Sequence, residues 1–172
     1  CYKQEIEALL RTPGMGGFQL LDLHDYPGQG TAVVGPLNVF WQSKGYVTPE
    51  EFRRFCNVTV SLARMSRLVY TTEDDLNVEF EIAHFGRTSL EDAVPTFRID
   101  DTGGKTIVSG ELGTMTVPLG TATPIQRLSM NLSTFKAPQK YRLVVSLRGM
   151  ASVENAWDFW VYPARLSVET PA

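Results

Sequence analysis

The chain has 172 residues, a formal net charge of −3 and a hydrophobic fraction of 43%. That length suits one domain or one and a half, and the apolar content is that of a folded globular protein rather than a disordered one. The mild acidity and the absence of a Lys/Arg cluster argue against nucleic-acid binding, and no apolar run approaches the ~18 residues of a membrane span. The densest basic spots, Arg53-Arg54 and residues 136–142, read as solvated faces.

Residues 2–11 read as a helix, with Tyr2, Ile6, Leu9 and Leu10 on one face and Lys3, Glu5 and Glu7 largely on the other. Thr12-Pro13-Gly14 ends it. Gly16-Gly17 then leads into an apolar run, residues 17–23, that reads as a buried strand emptying into Asp22, His24, Asp25 and a Pro/Gly-rich loop. From Tyr26 to Tyr46 the chain is long and irregular and carries Phe40 and Trp41; loops this long inside a compact protein are often functional. Thr48-Pro49-Glu50-Glu51 is a helix start, with a capping threonine, a proline at the first helical position and a glutamate able to reach back. That helix is expected from 49 to about 56, with Phe52, Phe55 and Cys56 inward.

After Asn57 the period changes from 3.6 to 2. Leu76, Val78, Phe80 and Ile82 alternate with Asn77, Glu79 and Glu81, and Phe97 and Ile99 repeat the rule. Asp100-Asp101-Thr102-Gly103-Gly104 is a hairpin turn, with 105–112 as the return. Further strands are expected over 67–71, 124–130, 141–148 and 156–162. About seven strands at this spacing suit an immunoglobulin-like β-sandwich, and Tyr141 stands where a tyrosine corner forms. There is no Cys…Trp…Cys pattern. The boundary is placed at 57, giving 1–57 and 58–172.

Two separated histidines, His24 and His84, and two cysteines, Cys1 and Cys56, make a poor zinc set. His84 reads as packed and Cys56 as a buried thiol, although pairing with Cys1 is open. Gly28-Gln29-Gly30-Thr31 lacks the Lys-Ser/Thr of a phosphate loop, and no nucleophile elbow occurs. Asn57-Val58-Thr59 and Asn131-Leu132-Ser133 match short glycosylation sequons. A chain opening at Cys1 with no leader pattern reads as a mature or cut product. Asp22, His24 and Asp25 are left as chemistry, with Asp22 and His24 on one side of the expected strand. Such carboxylates serve acid/base work on a glycosidic bond; the alternative is that Asp25 orders its turn and Asp22 bonds neighbouring strands. Trp41 offers a face on which a sugar ring stacks.

The run Gly17-Phe18-Gln19-Leu20-Leu21-Asp22-Leu23-His24-Asp25-Tyr26-Pro27-Gly28-Gln29-Gly30-Thr31-Ala32, with Thr48-Pro49-Glu50-Glu51-Phe52 and Trp157-Asp158-Phe159-Trp160-Val161-Tyr162-Pro163, resembles glycoside hydrolase family 2, the β-galactosidase group. The resemblance implies that residues 1–57 are the terminal helix–strand–helix of a (β/α)8 barrel, with 17–23 as its eighth strand, and that 58–172 are the immunoglobulin-like β-sandwich that follows. It implies a retaining hydrolase whose two catalytic glutamates lie on earlier barrel strands, so no catalytic residue, metal or cofactor is assigned to this chain. Asp22, His24, Asp25 and Trp41 would line the substrate rim. Where family members often carry a tryptophan, this strand has Leu21 and Leu23. The implied partners are a carbohydrate substrate and the remainder of the parent barrel, with no nucleic acid and no membrane, and the implied location is periplasmic or secreted. A non-catalytic carbohydrate-binding or protein-interaction module, presenting Trp157, Trp160 or Tyr162, is the alternative; a purely structural linker is a third. Independently, a lone strand between two helices cannot satisfy its edges. Either residues 1–56 pack onto the sandwich or barrel neighbours are needed.

Overall fold

A computed structural model describes residues 2–30 and 33–165. Helices α1 (Tyr2–Leu10) and α2 (Pro49–Arg53) precede ten strands: β1 (Thr59–Met65), β2 (Val69–Thr71), β3 (Asp75–His84), β4 (Leu90–Ala93), β5 (Pro95–Asp100), β6 (Thr106–Glu111), β7 (Met115–Val117), β8 (Gly120–Asn131), β9 (Gln139–Leu147) and β10 (Met150–Tyr162). The protein is mainly β. One sheet has the order β1-β3-β8, a second β2-β10-β9-β5-β6, and β4 pairs with β7 alone.

The two larger sheets share one core, because alternation turns Leu76, Val78 and Phe80 of β3 toward Phe97 and Ile99 of β5, Tyr141, Leu143 and Val145 of β9, and Phe159 and Val161 of β10. The β5–β6 hairpin forms at the expected turn, where the Asp101 carboxylate accepts from the amides of Gly103 and Lys105. Tyr141 donates its hydroxyl to the Lys136 carbonyl at 2.8 Å, the five-residue reach of a tyrosine corner. β4 and β7, four and three residues long, are too short to show a period.

β1 shows why the helices matter. Residues 59–63 are all buried, so both faces of this strand are covered. Ser61 and Ala63 pair with Ile82 and Phe80 of the shared core layer, while Val60 and Leu62 pack under Ile6 and Leu10 of α1 and under Phe55. Burying side chains of this size stabilises by about 1.5–3 kcal/mol each.

Glu7, expected on the outer face of α1, is instead among the most buried charges, at 3% exposure. It accepts from the Asn155 amide at 2.8 Å and the Trp157 indole at 3.0 Å, and pairs with Arg11 at 3.2 Å and Lys3 at 3.5 Å. Arg11 continues to the Ala63 carbonyl. Burial holds the Lys3 ammonium below its ordinary value, with Glu7 opposing that shift. The signal in the sequence was the run Lys3, Glu7, Arg11 at i, i+4, i+8, which puts two cations on one carboxylate.

The strand expected over 17–23 does not form within this chain. The described residues contain no strand alongside to satisfy their amides and carbonyls, and Gly17 and Asp22 take positive φ values of 147° and 63° that break extended backbone. α2 is also shorter than expected, although its capping box is complete: the Thr48 hydroxyl accepts from the Glu51 amide and the Glu51 carboxylate from the Thr48 amide. Phe55 is buried and Phe52 and Cys56 are half-buried; burial pushes the Cys56 thiol up. Cys1 lies outside the described residues.

Candidate functional site

The segment between the helices is built from its own hydrogen bonds. The Asp25 amide donates to the Leu37 carbonyl and the Leu37 amide to the Leu23 carbonyl, which ties residues 23–25 to Leu37. The Asp25 carboxylate, buried, takes the Lys44 ammonium at 2.6 Å and the Gly35 amide at 3.2 Å. Lys44 also donates to the Val33 carbonyl, and Tyr46 to the Gly35 carbonyl. Gly35 is required there, because a Cβ would stand 2.7 Å from the main chain of His24. Asp25 thus ties the loop base, and its carboxylate is turned to Lys44.

A second turn follows. The Asn38 side-chain oxygen accepts from the amides of Phe40 and Gln42, and the Trp41 amide donates to the Asn38 carbonyl. The turn lifts Phe40 and Trp41 into solvent, at 77% and 61% exposure. Trp41 stands at φ 64°, a conformation that bulky residues avoid. Its indole lies against the His24 imidazole, ring centroids 4.4 Å apart at 44°. His24 Nδ1 donates to the Asp25 carbonyl at 2.7 Å, which leaves Nε2 without a partner among the described residues.

Of the four residues expected at a rim, His24 and Trp41 are in contact, Asp25 is buried against Lys44 and Gly35, and Asp22 is half-buried with strained backbone. Asp22 and Trp41 are two of the three non-glycine residues with positive φ among the described residues, and such strain collects at functional sites. Asp22, Tyr46 and burial hold the Tyr2 phenol above its ordinary value, burial being the largest cause. Lys44 and Gly35 were not singled out in the sequence, and Tyr2 only as part of a helix face; a lysine in a Gly-rich loop rich in aromatics is the signal that could have found the first. His84, by contrast, is packed: Nε2 donates to the Thr88 carbonyl and Nδ1 meets the Thr59 hydroxyl. Among the described residues no three His, Cys, Asp or Glu side chains are grouped to hold a metal ion, and no helix is long and apolar enough to cross a membrane.

A family described as "Domain of unknown function (DUF8488)" matches residues 74–163, which contain β3 through β10. The chain belongs to this family. The DUF8488 match leaves α1, the loop segment and α2 outside it. No curated protein matches the chain. Similar solved structures include the alkylpurine DNA glycosylase AlkC of Pseudomonas fluorescens bound to DNA with an abasic site analogue (12% identity over 61% of this chain and 30% of that one, TM-score 0.45). A β-glucuronidase from glycoside hydrolase family 2 is similar at 14% identity over 57% of this chain and 10% of its own, TM-score 0.39. The CARDB domain of the Pyrococcus furiosus PF1109 protein is similar at 9% identity over 61% of this chain and 93% of its own, TM-score 0.46. The chain therefore spans less than a third of the first two, and glycoside hydrolase family 2 chains are among its structural neighbours only at low identity and partial coverage.

Proposed function

We propose that this DUF8488 chain is the C-terminal part of a retaining glycoside hydrolase of the family 2 type. Residues 1–57 are then the terminal segment of a (β/α)8 barrel and 58–172 an immunoglobulin-like sandwich that supports it. Catalysis rests with two carboxylates on earlier barrel strands, a nucleophile and an acid/base about 5–5.5 Å apart. In this reading Asp22, His24 and Trp41 face carbohydrate at the pocket rim. Trp41 stacks on a sugar ring, the open His24 Nε2 accepts from a hydroxyl, and Asp25 with Lys44 holds the loop that carries them.

The observation that carries the reading is the uncovered apolar surface of this segment. Leu21, Phe40 and Trp41 are 80%, 77% and 61% exposed, in a stretch whose sequence has the pattern of a buried strand and its loop. Neighbouring barrel strands would cover Leu21 and Phe40 and pair the backbone of 17–23, leaving Trp41 open to the sugar. The test has two parts. Aryl-glycosides of common hexoses are not turned over by the 172-residue chain; turnover would sink the proposal. Amides of 17–22 exchange with solvent orders of magnitude faster than those of β3, and slow exchange there would show that no barrel neighbour is needed.

A further inference from the structure

A cleft of about 360 Å³ lies between α1, the end of α2 and the edge of β10. β2 covers that edge only from Trp160 onward, so the stretch of β10 before it is open. Lys3 donates to the Ala156 carbonyl at one end of the gap, and the Trp160 amide donates to the Leu68 carbonyl at the other. Strand alternation directs the Asp158 amide and carbonyl to the same edge, midway between them. Neither has a partner among the described residues. The cleft thus offers one backbone donor beside one backbone acceptor.

The walls complete the chemistry. Trp157 is locked, its indole nitrogen on Glu7 and its ring under the Lys3 ammonium at 4.7 Å. Trp160, half-buried on the outer face, has no aromatic or cationic partner among the described residues. The charged lining balances: Lys3, Arg54 and Arg142 against Glu7, Glu51 and Asp158. An anion or a cation gains little from such a set, whereas hydroxyl groups, each both donor and acceptor, match it throughout.

We infer that this cleft binds a neutral sugar unit, stacked on Trp160 and hydrogen-bonded to the Asp158 main chain, at a site separate from the Asp22–His24–Trp41 cluster. Its size fits one or two hexose rings. It is separate from the proposed pocket rim, because stacking and main-chain contacts come from β10, while Lys3, Glu51 and Arg54 of the preceding helices only wall the cleft.

The test is amide and indole N–H NMR of the full chain titrated with lactose, cellobiose and xylobiose, with glucuronic acid for comparison. The Trp160 indole and Asp158 amide shift with at least one neutral disaccharide at a Kd on the order of 1 mM. Trp160→Ala weakens that binding roughly tenfold, Trp160→Tyr restores most of it, and Trp41→Ala leaves it unchanged. Leu68→Trp, at an exposed position on the cleft mouth, blocks it without touching the core. Absence of shifts with every neutral sugar overturns the inference, as do shifts confined to His24 and Trp41 or binding of glucuronic acid alone.

Discussion

Two regions of this chain solve the burial problem differently. The two-sheet body and the helices on it bury their apolar side chains and satisfy nearly every buried polar group; even the Glu7 carboxylate has four partners. The segment from Phe18 to Tyr46 holds ten of the eighteen large apolar side chains that stand exposed among the described residues, yet its turns are closely hydrogen-bonded. It has local order without a core. The contrast separates what folds this chain from what is offered to a partner, and it can be tested from both sides.

The largest effect is expected at the clamp between helix and sheet. Glu7→Leu leaves Lys3, Arg11 and Asn155 facing an apolar side chain in a buried site and costs about 3–5 kcal/mol, measured by urea unfolding. Lys3→Met together with Glu7→Leu recovers part of that loss. Ile6→Ala removes a fully covered side chain from the same contact and costs about 2–4 kcal/mol. A cost below ~1 kcal/mol for either single change would show that α1 is not part of the folded unit. The Thr48 cap contributes less: Thr48→Ala is expected to cost about 1 kcal/mol, because the Glu51 amide loses the Thr48 hydroxyl as its acceptor.

These magnitudes track how legible each element was. β3 and β5 could be read directly because Leu76 to Ile82 and Phe97 with Ile99 alternate with polar residues, and β9 because Tyr141, Leu143, Val145 and Leu147 keep the period with Arg142 and Ser146 opposite, although Val144 is buried too. The capping box and the 100–104 turn are local chemistry and were read as easily. β1 was missed because covering on both faces removes the contrast on which period counting depends. Glu7 was misplaced for the converse reason: its charge marked it for water, and its partners Asn155 and Trp157 are some 150 residues away. Residues 17–23 read as a strand from composition, but a strand also requires a neighbour, and composition does not contain one. At the site, the types of His24 and Trp41 were visible; their contact, the Lys44–Asp25 pair and the two strained backbones depend on turns that sequence only outlines.

In the loop segment the expected signs differ. Phe40→Ser, at an exposed tip, changes stability by no more than about 0.5 kcal/mol. Trp41→Gly relieves a positive φ and is expected to raise stability by roughly 0.5–1 kcal/mol while removing the ring that contacts His24. A gain in stability with a loss of sugar affinity, in the larger hydrolase proposed above, is the signature of strain kept for binding. A loss of stability would place Trp41 in the folding unit instead and erase the distinction between the two regions.

The smallest effect returns to the body. Burial pushes the Asp158 carboxyl up, but hydrogen bonds from Arg142 and Lys140 outweigh it and hold the group below its ordinary value of 3.8. A carboxyl depressed in the folded state contributes stability above its unfolded value, and that contribution is lost as pH falls through the folded one. Asp158 is partly open to solvent, so the amount is about 0.5 kcal/mol or less. Asp158→Asn should therefore flatten the acid limb of the stability curve below 3.8 by that amount while leaving the helix clamp intact. A larger change would mean that Arg142 and Lys140, once released, disturb the β9–β10 edge, and that the outer face of this sheet is less independent of the core than its exposure implies.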